Sequence, residues 1–325
     1  MRVFNAHSDL FTDIHYRRRE GERNVFHHHY EESFRKGNVT GSIFVVWTDE
    51  AHQHDYLGWV TGMLQSIHDE FKEAKAIKQV LTWSDYEEAL KEGKIGVLLG
   101  MEGLPHLGTD LELLKKYYYE DGVRHAGLTW NEENALAKGP KFSGGLTEAG
   151  KKVVHLMQDL GMIVDVSHLN DDGFWDMMKI TNGPIMASHS NARALASHKR
   201  NLKDDMLKAL REVGGIVGLN AACDFISDDL KKQDLEHLVI QLEHIVSIMG
   251  IDQVGFGFDF MDFLPLEAQG TMKPPEGLTA TPRDLLGEED IPNILAMMKK
   301  RGFTEEEIRK ISHENMENYI RNIIG

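Results

Sequence analysis

The sequence predicts an α/β fold, a (β/α)8 barrel of the TIM type, and three observations support this prediction. Eight short apolar runs recur along the 325 residues, and longer amphipathic or charged segments separate them. Most runs are continuously apolar rather than alternating, which is typical of parallel strands covered by helices. No linker rich in proline, glycine or serine and no block of charge divides the chain. We therefore expect one domain spanning residues 1–325.

The predicted elements follow each other at intervals that suit such a barrel. The strands are predicted at residues 2–7, 40–47, 94–101, 122–129, 162–167, 184–188, 215–220 and 253–258. The helices are predicted at residues 56–80, 83–92, 111–119, 147–160, 173–180, 204–213, 235–249, 291–299, 304–310 and 313–324. Thr82 stands where it can cap the second helix. Residues 260–287 hold several prolines and show no period, so we interpret them as a long loop over the mouth of the barrel.

The composition limits which partners the protein can bind and indicates the cellular compartment in which it works. The formal charge is −16, from 52 acidic and 36 basic residues, which argues against binding to nucleic acid or to an anionic membrane. Cys223 is the sole cysteine, so no intrachain disulfide can form and a reducing compartment is expected. No apolar run approaches the roughly 18 residues of a membrane span, and no signal-peptide pattern precedes the first strand. We expect a cytoplasmic protein.

The first strand ends in a candidate metal-binding pair, His7 and Asp9. Residues two apart on a strand point to the same face, so this imidazole and this carboxylate can reach one point. A nitrogen donor beside an oxygen donor suits zinc and similar divalent ions.

Four further strands end in residues of the same kind: Glu102, His168, His189 and Asp259. Each has an ordinary explanation as a helix cap, a loop acid or a satisfied core histidine. A barrel, however, gathers the C-terminal ends of its strands at one mouth, where enzymes of this fold place the active site. A carboxylate directly after a buried strand, as at Glu102, is also costly unless it is paired or bound to a metal. Together the six residues predict a metal centre.

Two arginines follow His189, at positions 193 and 200. A guanidinium at the mouth of the site can hold a carboxylate through two parallel hydrogen bonds. A surface ion pair explains either arginine equally well, so Arg193 and Arg200 both stay candidates.

These residues lie in motifs that resemble the membrane (renal) dipeptidase family of zinc dipeptidases, within the amidohydrolase-type barrels. The resembling motifs are Asn-Ala-His-Ser-Asp at 5–9, Gly-Met-Glu-Gly at 100–103, Gly-Leu-Thr at 145–147, Val-Asp-Val-Ser-His at 164–168, Ser-His-Ser-Asn-Ala-Arg-Ala at 188–194, Arg-Asn at 200–201 and Gly-Phe-Asp at 257–259. They stand in the family's order, and residues 314–321 add a matching tail.

The resemblance implies a zinc dipeptidase with two Zn²⁺ per chain. His7, Asp9 and Glu102 would hold one ion, while Glu102, His168 and His189 would hold the other, so that Glu102 and a hydroxide bridge the pair. The bridging hydroxide would attack the peptide carbonyl. Asp259 would act as the acid and base, and Arg200 would bind the C-terminal carboxylate of the dipeptide. The resemblance also implies that L-Xaa-D-Xaa dipeptides are substrates and that the protein is a homodimer.

One position departs from the family pattern. Many members carry Thr-His after the fourth barrel strand, and that histidine helps to stabilise the developing oxyanion. Here the pair is Thr129 and Trp130. Either Asn131 or another group supplies that hydrogen bond, or the reaction depends more on the metals; losing one such donor typically costs about 10²–10³ in rate.

Two rival functions remain open from the sequence. The first is a metal hydrolase of the same fold acting on a lactone, a cyclic amide or a phosphotriester; many of these use His-x-His and a carboxylated lysine, where this chain has His7, Asp9 and Glu102. The second is a non-catalytic metal-binding barrel, which the complete set of candidate ligands together with Asp259 disfavours. The sequence does not decide the metal, because these ligands also accept manganese, cobalt or iron.

Overall fold

Parallel strands form a closed barrel in the computed structural model, which describes residues 1–48, 50–264 and 278–325. The strands are β1 (Val3–Ser8), β2 (Val39–Trp47), β3 (Ile77–Gln79), β4 (Ile95–Glu102), β5 (Val123–Gly127), β6 (Ile163–Asp165), β7 (Met186–Ala187), β8 (Ile216–Leu219) and β9 (Val254–Phe256). All but β3 form the ring, in the order β1-β2-β4-β5-β6-β7-β8-β9, which closes where β9 pairs with β1. The predicted (β/α)8 barrel is confirmed, and each of its eight strands lies within or overlaps a predicted run.

Helices surround the ring and connect its strands. They are α1 (Leu10–Arg19), α2 (Val25–His29), α3 (Glu31–Lys36), α4 (Tyr56–Glu73), α5 (Trp83–Lys91), α6 (Leu111–Lys116), α7 (Glu148–Leu160), α8 (Asp171–Ile180), α9 (Asp204–Glu212), α10 (Cys223–Ile226), α11 (Leu235–Met249), α12 (Ile291–Lys300), α13 (Glu305–Arg309) and α14 (Asn315–Ile324). Thr82 caps α5 as predicted, in a capping box with Asp85. None of the helices in the described ranges has the length and apolar character needed to cross a membrane.

The prediction of one helix over residues 56–80 is wrong at its end. Helix α4 stops at Glu73, and residues 77–79 form β3. This short strand pairs with Ile95–Val97 on the edge of β4 that β5 leaves free, since β5 pairs only with residues 99–102. The backbone hydrogen bonds available at that edge outweigh the local helical pattern.

Three helices, α1 to α3, lie between the first two strands, where no helix is predicted. The hydrophobic pattern does not predict α1, because the buried face of this helix includes a charged residue, Arg18. The Arg18 guanidinium donates to Glu70 at 2.7 Å and to Glu73 at 2.8 Å, both on α4. A buried charge with such partners is tolerated, but its partners lie far away in sequence and leave no local signal.

The barrel interior is filled below the mouth by apolar side chains from strands on opposite sides. Phe4, Ile43, Leu98, Ile163 and Ile216 belong to one buried cluster, which Met316 and Ile320 of α14 join. A second and larger cluster packs the outer faces of the strands against the helices. Burial on both faces explains why the strand runs are continuously apolar. The packed interior leaves the mouth as the place where polar side chains gather.

The proposed loop at 260–287 is only partly within the described residues, since 265–277 lie outside them. Residues 260–264 and 278–287 contain no helix or strand, as predicted. Met261, Leu278, Thr279 and Ala280 line the cavity at the mouth of the barrel, so the two described ends of this segment do lie there.

Candidate metal centre

The six predicted ligand and acid residues are buried and meet at the C-terminal mouth of the barrel. His7 lies in β1 and Glu102 ends β4, while His168, His189 and Asp259 follow β6, β7 and β9. The sequence predicts Asp9 on the first strand, and this is wrong: β1 ends at Ser8, and Asp9 immediately precedes the first turn of α1. The chain turn still brings its Oδ2 to 3.7 Å from Nε2 of His7.

Glu102 lies at the middle of the group, and its two carboxylate oxygens face different histidines. Its Oε2 is 3.5 Å from Nε2 of His7. Its Oε1 is 2.6 Å from Nε2 of His168 and 3.3 Å from Nε2 of His189. A carboxylate in this position can contribute one oxygen to each of two neighbouring cation sites.

The backbone is strained at two of these residues. His168 has φ +70° and Asp259 has φ +58°, and among the described non-glycine residues only Asn24 and Asn38 also have positive φ. The left-handed conformation is unfavourable for most side chains, although asparagine, aspartate and histidine adopt it more often than other non-glycine residues. Such strain tends to concentrate at functional sites, where it fixes the direction of a side chain.

The donor atoms leave hydrogen-bonding capacity that a metal ion would satisfy. Both ring nitrogens of His7 and Oδ1 of Asp9 are buried without a hydrogen-bond partner among the described residues. Nε2 of His168 and Nε2 of His189 lie 2.9 Å apart. Because unpaired buried polar atoms are costly and these are nitrogen and oxygen donors, the side chains fit divalent cations such as zinc.

The pKa shifts of the buried acids and of His7 also fit a site for cations. Burial raises the pKa of Glu102 and of Asp259, and nearby carboxylates add to this effect while His7 opposes it. Burial alone would lower the pKa of His7, but Glu102 and Asp9 outweigh it and raise that pKa. The pKa of both acids stays raised although His7 and Arg200 oppose the shift, so the group has room for the positive charge that divalent cations would supply.

Polar residues beneath the site orient two of the histidines. Ser188 donates its hydroxyl hydrogen to Asp165, so its Oγ is free to accept from Nδ1 of His189 at 2.7 Å. Nδ1 of His168 donates to Oδ1 of Asn131 at 3.2 Å. Each contact places the ring proton on Nδ1 and directs the Nε2 lone pair toward the centre, as partners of metal-binding histidines commonly do.

The carboxylate that anchors Ser188 is itself held ionised. Burial by itself would raise the pKa of Asp165. Three contacts instead hold this pKa well below its usual range: Nε2 of His125 at 3.0 Å, the hydroxyl of Ser188 and the backbone N–H of Ser167. Asp259 has a comparable support, since its Oδ2 accepts from Nδ2 of Asn220 at 3.0 Å. That bond leaves Oδ1 of Asp259 facing His7 at 3.8 Å.

The two candidate arginines lie in different surroundings. Arg193 forms a bidentate ion pair with Asp171, at 2.7 and 2.9 Å. Arg200 lines the cavity of about 570 Å³ at the mouth, and its Nη2 donates to Nε2 of His189 at 2.7 Å. Burial lowers the pKa of Arg200 to about 10, so it stays protonated at neutral pH. Its Nε has no partner in the described part of the chain.

Trp130 stands where many members of the resembling family have a histidine after the fourth barrel strand. Trp130 lines the cavity and packs edge-on against Trp47, with ring centroids 5.1 Å apart. Its ring centroid lies 6.0 Å from that of His168. Asn131, next to it, also lines the cavity while its Oδ1 is engaged with His168.

Asp165, Ser188 and Asn220 received no role in the sequence analysis. All three are buried polar residues within or at the end of predicted strand runs. A polar residue inside an apolar run is the signal that could have identified them, because burying it requires a partner.

A (β/α)8 barrel with histidines and carboxylates at the C-terminal ends of its strands defines the class of metal-dependent amidohydrolases. The family model described as membrane dipeptidase (peptidase family M19) matches residues 1–323. The chain belongs to this family, and it is therefore a metal-dependent dipeptidase, as the resemblance of its motifs implied.

Solved structures agree with this assignment. The metallopeptidase of family M19 called dipeptidase AC has a TM-score of 0.88 and 25% identity, over 100% of this chain and 99% of its own. A metallopeptidase from Rhodobacter sphaeroides, liganded with a phosphinate mimic of the dipeptide L-Ala-D-Ala, has the same fold, with a TM-score of 0.87, 24% identity and 99% of both chains covered. An uncharacterized dipeptidase of Schizosaccharomyces pombe is 36% identical over 185 residues, which are 55% of this chain and 44% of the relative.

Proposed function

We propose that the protein hydrolyses dipeptides, including L-Xaa-D-Xaa, at a centre of two zinc ions. The arrangement of Glu102 carries the proposal, because one of its oxygens faces His7 while the other faces His168 and His189. His7, Asp9 and Glu102 would hold one ion, and Glu102, His168 and His189 the other. The bound ions would polarise the peptide carbonyl and lower the pKa of water to about 7.

Asp259 is the proposed proton carrier. Its carboxylate would accept a proton from the attacking water and pass it to the leaving amine nitrogen. The hydrogen bond from Asn220 fixes Oδ2, and the positive φ of Asp259 directs the group into the mouth. Burial raises the pKa of this carboxyl and so favours its protonated form, the form that it must take between accepting and donating the proton.

Arg200 is the proposed partner of the substrate's C-terminal carboxylate. It lines the cavity, and its buried Nε–H has no partner among the described residues, whereas the guanidinium of Arg193 is already occupied by Asp171. A buried cation at a fixed place beside the centre would restrict hydrolysis to dipeptides, because a longer peptide has no carboxylate there.

The proposal also covers the number of domains, the cellular compartment and the oligomeric state. We infer one domain over residues 1–325, which the pairing of β1 with β9 and the contact of α14 with the barrel interior support. The cytoplasm is the proposed location, on the ground that the lone Cys223 allows no intrachain disulfide. A homodimer is proposed from the resemblance to the family, and sedimentation of the purified protein tests it.

The first experiment measures the metal content of the purified protein together with hydrolysis of L-Ala-D-Ala and L-Leu-D-Ala, before and after chelation. L-Ala-D-Ala is the starting substrate because a structural relative binds its phosphinate mimic. About two zinc ions per chain with chelator-sensitive cleavage is the expected result. Two metals without cleavage of any dipeptide would shift the reaction to another amide, a lactone or a phosphotriester. Absence of metal would refute the centre at His7 and Asp9.

A further inference from the structure

The cavity at the mouth has two chemically different walls. One wall carries positive charge and comes from the segments after β5 and β7, through Lys141, Lys199 and Arg200. The other is apolar and comes from the segments after β8 and β9, through Phe225, Met261 and Leu278. Both walls border the metal centre, and they meet where the Arg200 guanidinium lies 5.5 Å from the centroid of the Phe225 ring.

The positive wall contrasts with the rest of the molecule, which has a formal charge of −16. In the described ranges, neither Lys141 nor Lys199 forms an ion pair, whereas nearby Lys138 pairs with Glu133 at 3.0 Å. Outside the metal centre, the one acidic residue of the described cavity lining is Asp224, which accepts from Gln233 at 3.4 Å. Cations left unpaired at the mouth of a cleft attract anionic groups and hold them there.

The place of Arg200 on this wall decides which part of the substrate meets the lysines. If Arg200 holds the C-terminal carboxylate, the side chain of that same residue lies along the wall that Lys199 and Lys141 form. A second cavity of about 200 Å³ opens beside it, and the two cavities share Pro140 and Lys199 as lining residues. Its lining also holds Asp172 and Asp171, and the charge of Asp171 is offset by ion pairs with Arg193 and Lys203. There is thus room past the carboxylate site for a side chain longer than that of alanine.

We propose that the preferred substrates are dipeptides whose C-terminal residue has an acidic side chain, which Lys141 and Lys199 contact. This inference rests on the proposed function and on the role of Arg200 given above. Both lysines are exposed, so solvent screens each contact and the effect is moderate. We expect a preference of about ten-fold in kcat/KM for an acidic over a neutral side chain of the same shape, arising mainly in KM and falling as salt is added.

The test compares L-Ala-Glu with L-Ala-Gln, each with the second residue in the L and the D form, and uses L-Ala-D-Ala as reference. The double variant Lys141→Gln and Lys199→Gln should bring the Glu-to-Gln ratio of kcat/KM to about one. The matched control changes Lys152 and Lys208 to Gln; both are exposed, lie outside the described cavity lining and have no ion pair among the described residues, and the ratio should persist.

Two results would overturn the inference while leaving the proposed function in place. One is equal cleavage of the Glu and Gln dipeptides by the wild type, with L-Ala-D-Ala still hydrolysed. The other is a preference for Glu that survives in the Lys141 and Lys199 double variant. If no dipeptide is cleaved at all by the metal-loaded protein, the proposed function fails and this inference fails with it.

Discussion

Replacing Arg200 by Met removes the proposed carboxylate contact while keeping an unbranched side chain in the site. The guanidinium is buried, its Nε–H has no described partner, and its charge survives burial because the pKa falls only to about 10. Hydrogen bonds to charged groups contribute about 1.5–3 kcal/mol each, so a two-bond contact is expected to contribute about 3–4 kcal/mol after its desolvation is offset. This corresponds to a loss of about 10²–10³ in kcat/KM for dipeptides, most of it as a higher KM.

The assay pairs the variant with a change in the substrate. L-Leu-D-Ala and its C-terminal amide are compared for the wild type and for Arg200→Met, with metal content measured in both. The wild type should lose about 10²–10³ in kcat/KM on the amide, and the variant should barely distinguish the two substrates. Because Arg200 also contacts His189, any general damage to the site lowers both substrates alike and cancels in this comparison.

Arg193→Met is the matched control, since its guanidinium is held by Asp171. That variant should still discriminate between the acid and the amide. The assignment of Arg200 would be refuted if Arg200→Met discriminated as strongly as the wild type, or if Arg193→Met alone abolished the difference.

Three further predictions concern the residues beneath the site, the proton carrier and the core. Ser188→Ala should weaken metal binding by about 10–100-fold in chelator competition, because His189 loses its orienting partner; unchanged competition would remove that role. Asp259→Asn should keep the metal content and lower kcat by about 10²–10⁴-fold, and equal activity would exclude it as the proton carrier. Phe44→Ala should lower the free energy of unfolding by about 3–5 kcal/mol, because its ring is fully buried. Denaturant titration compares this loss of stability with that of Leu230→Ala, which should be small because the Leu230 side chain is 67% exposed. A similar loss of stability in both variants would contradict the role of Phe44 in core packing.

The strands and the order of candidate ligands could be predicted from the sequence because both are local signals. A strand buried on both faces is a continuous apolar run, as in Ile95–Glu102, and its end is marked by the first polar residue. The barrel topology then brings those ends together without further information, since all its strands run parallel. The positions of Glu102, His168 and His189 at one mouth followed from that rule, and their roles as ligands stay predictions.

Other features depended on partners that are distant in the chain. Residues 77–79 form a strand only because β4 offers an unpaired edge, and α1 buries Arg18 only because Glu70 and Glu73 lie opposite. Local periodicity reports how a segment alternates between core and solvent. It cannot report a hydrogen bond or an ion pair made with another segment.

The sequence by itself determined the barrel, the family and the set of residues with metal-binding chemistry, because these follow from residue types and their order. The choice of Arg200 over Arg193 came from the family resemblance, and the tertiary structure supplied its physical ground, since Arg200 lines the cavity while Arg193 is paired with Asp171. The tertiary structure alone placed Ser188 under His189 and separated the charged wall of the cavity from the apolar one. The physical reason is that a side chain's partners, burial and charge environment are set by residues that fold next to it from elsewhere in the chain.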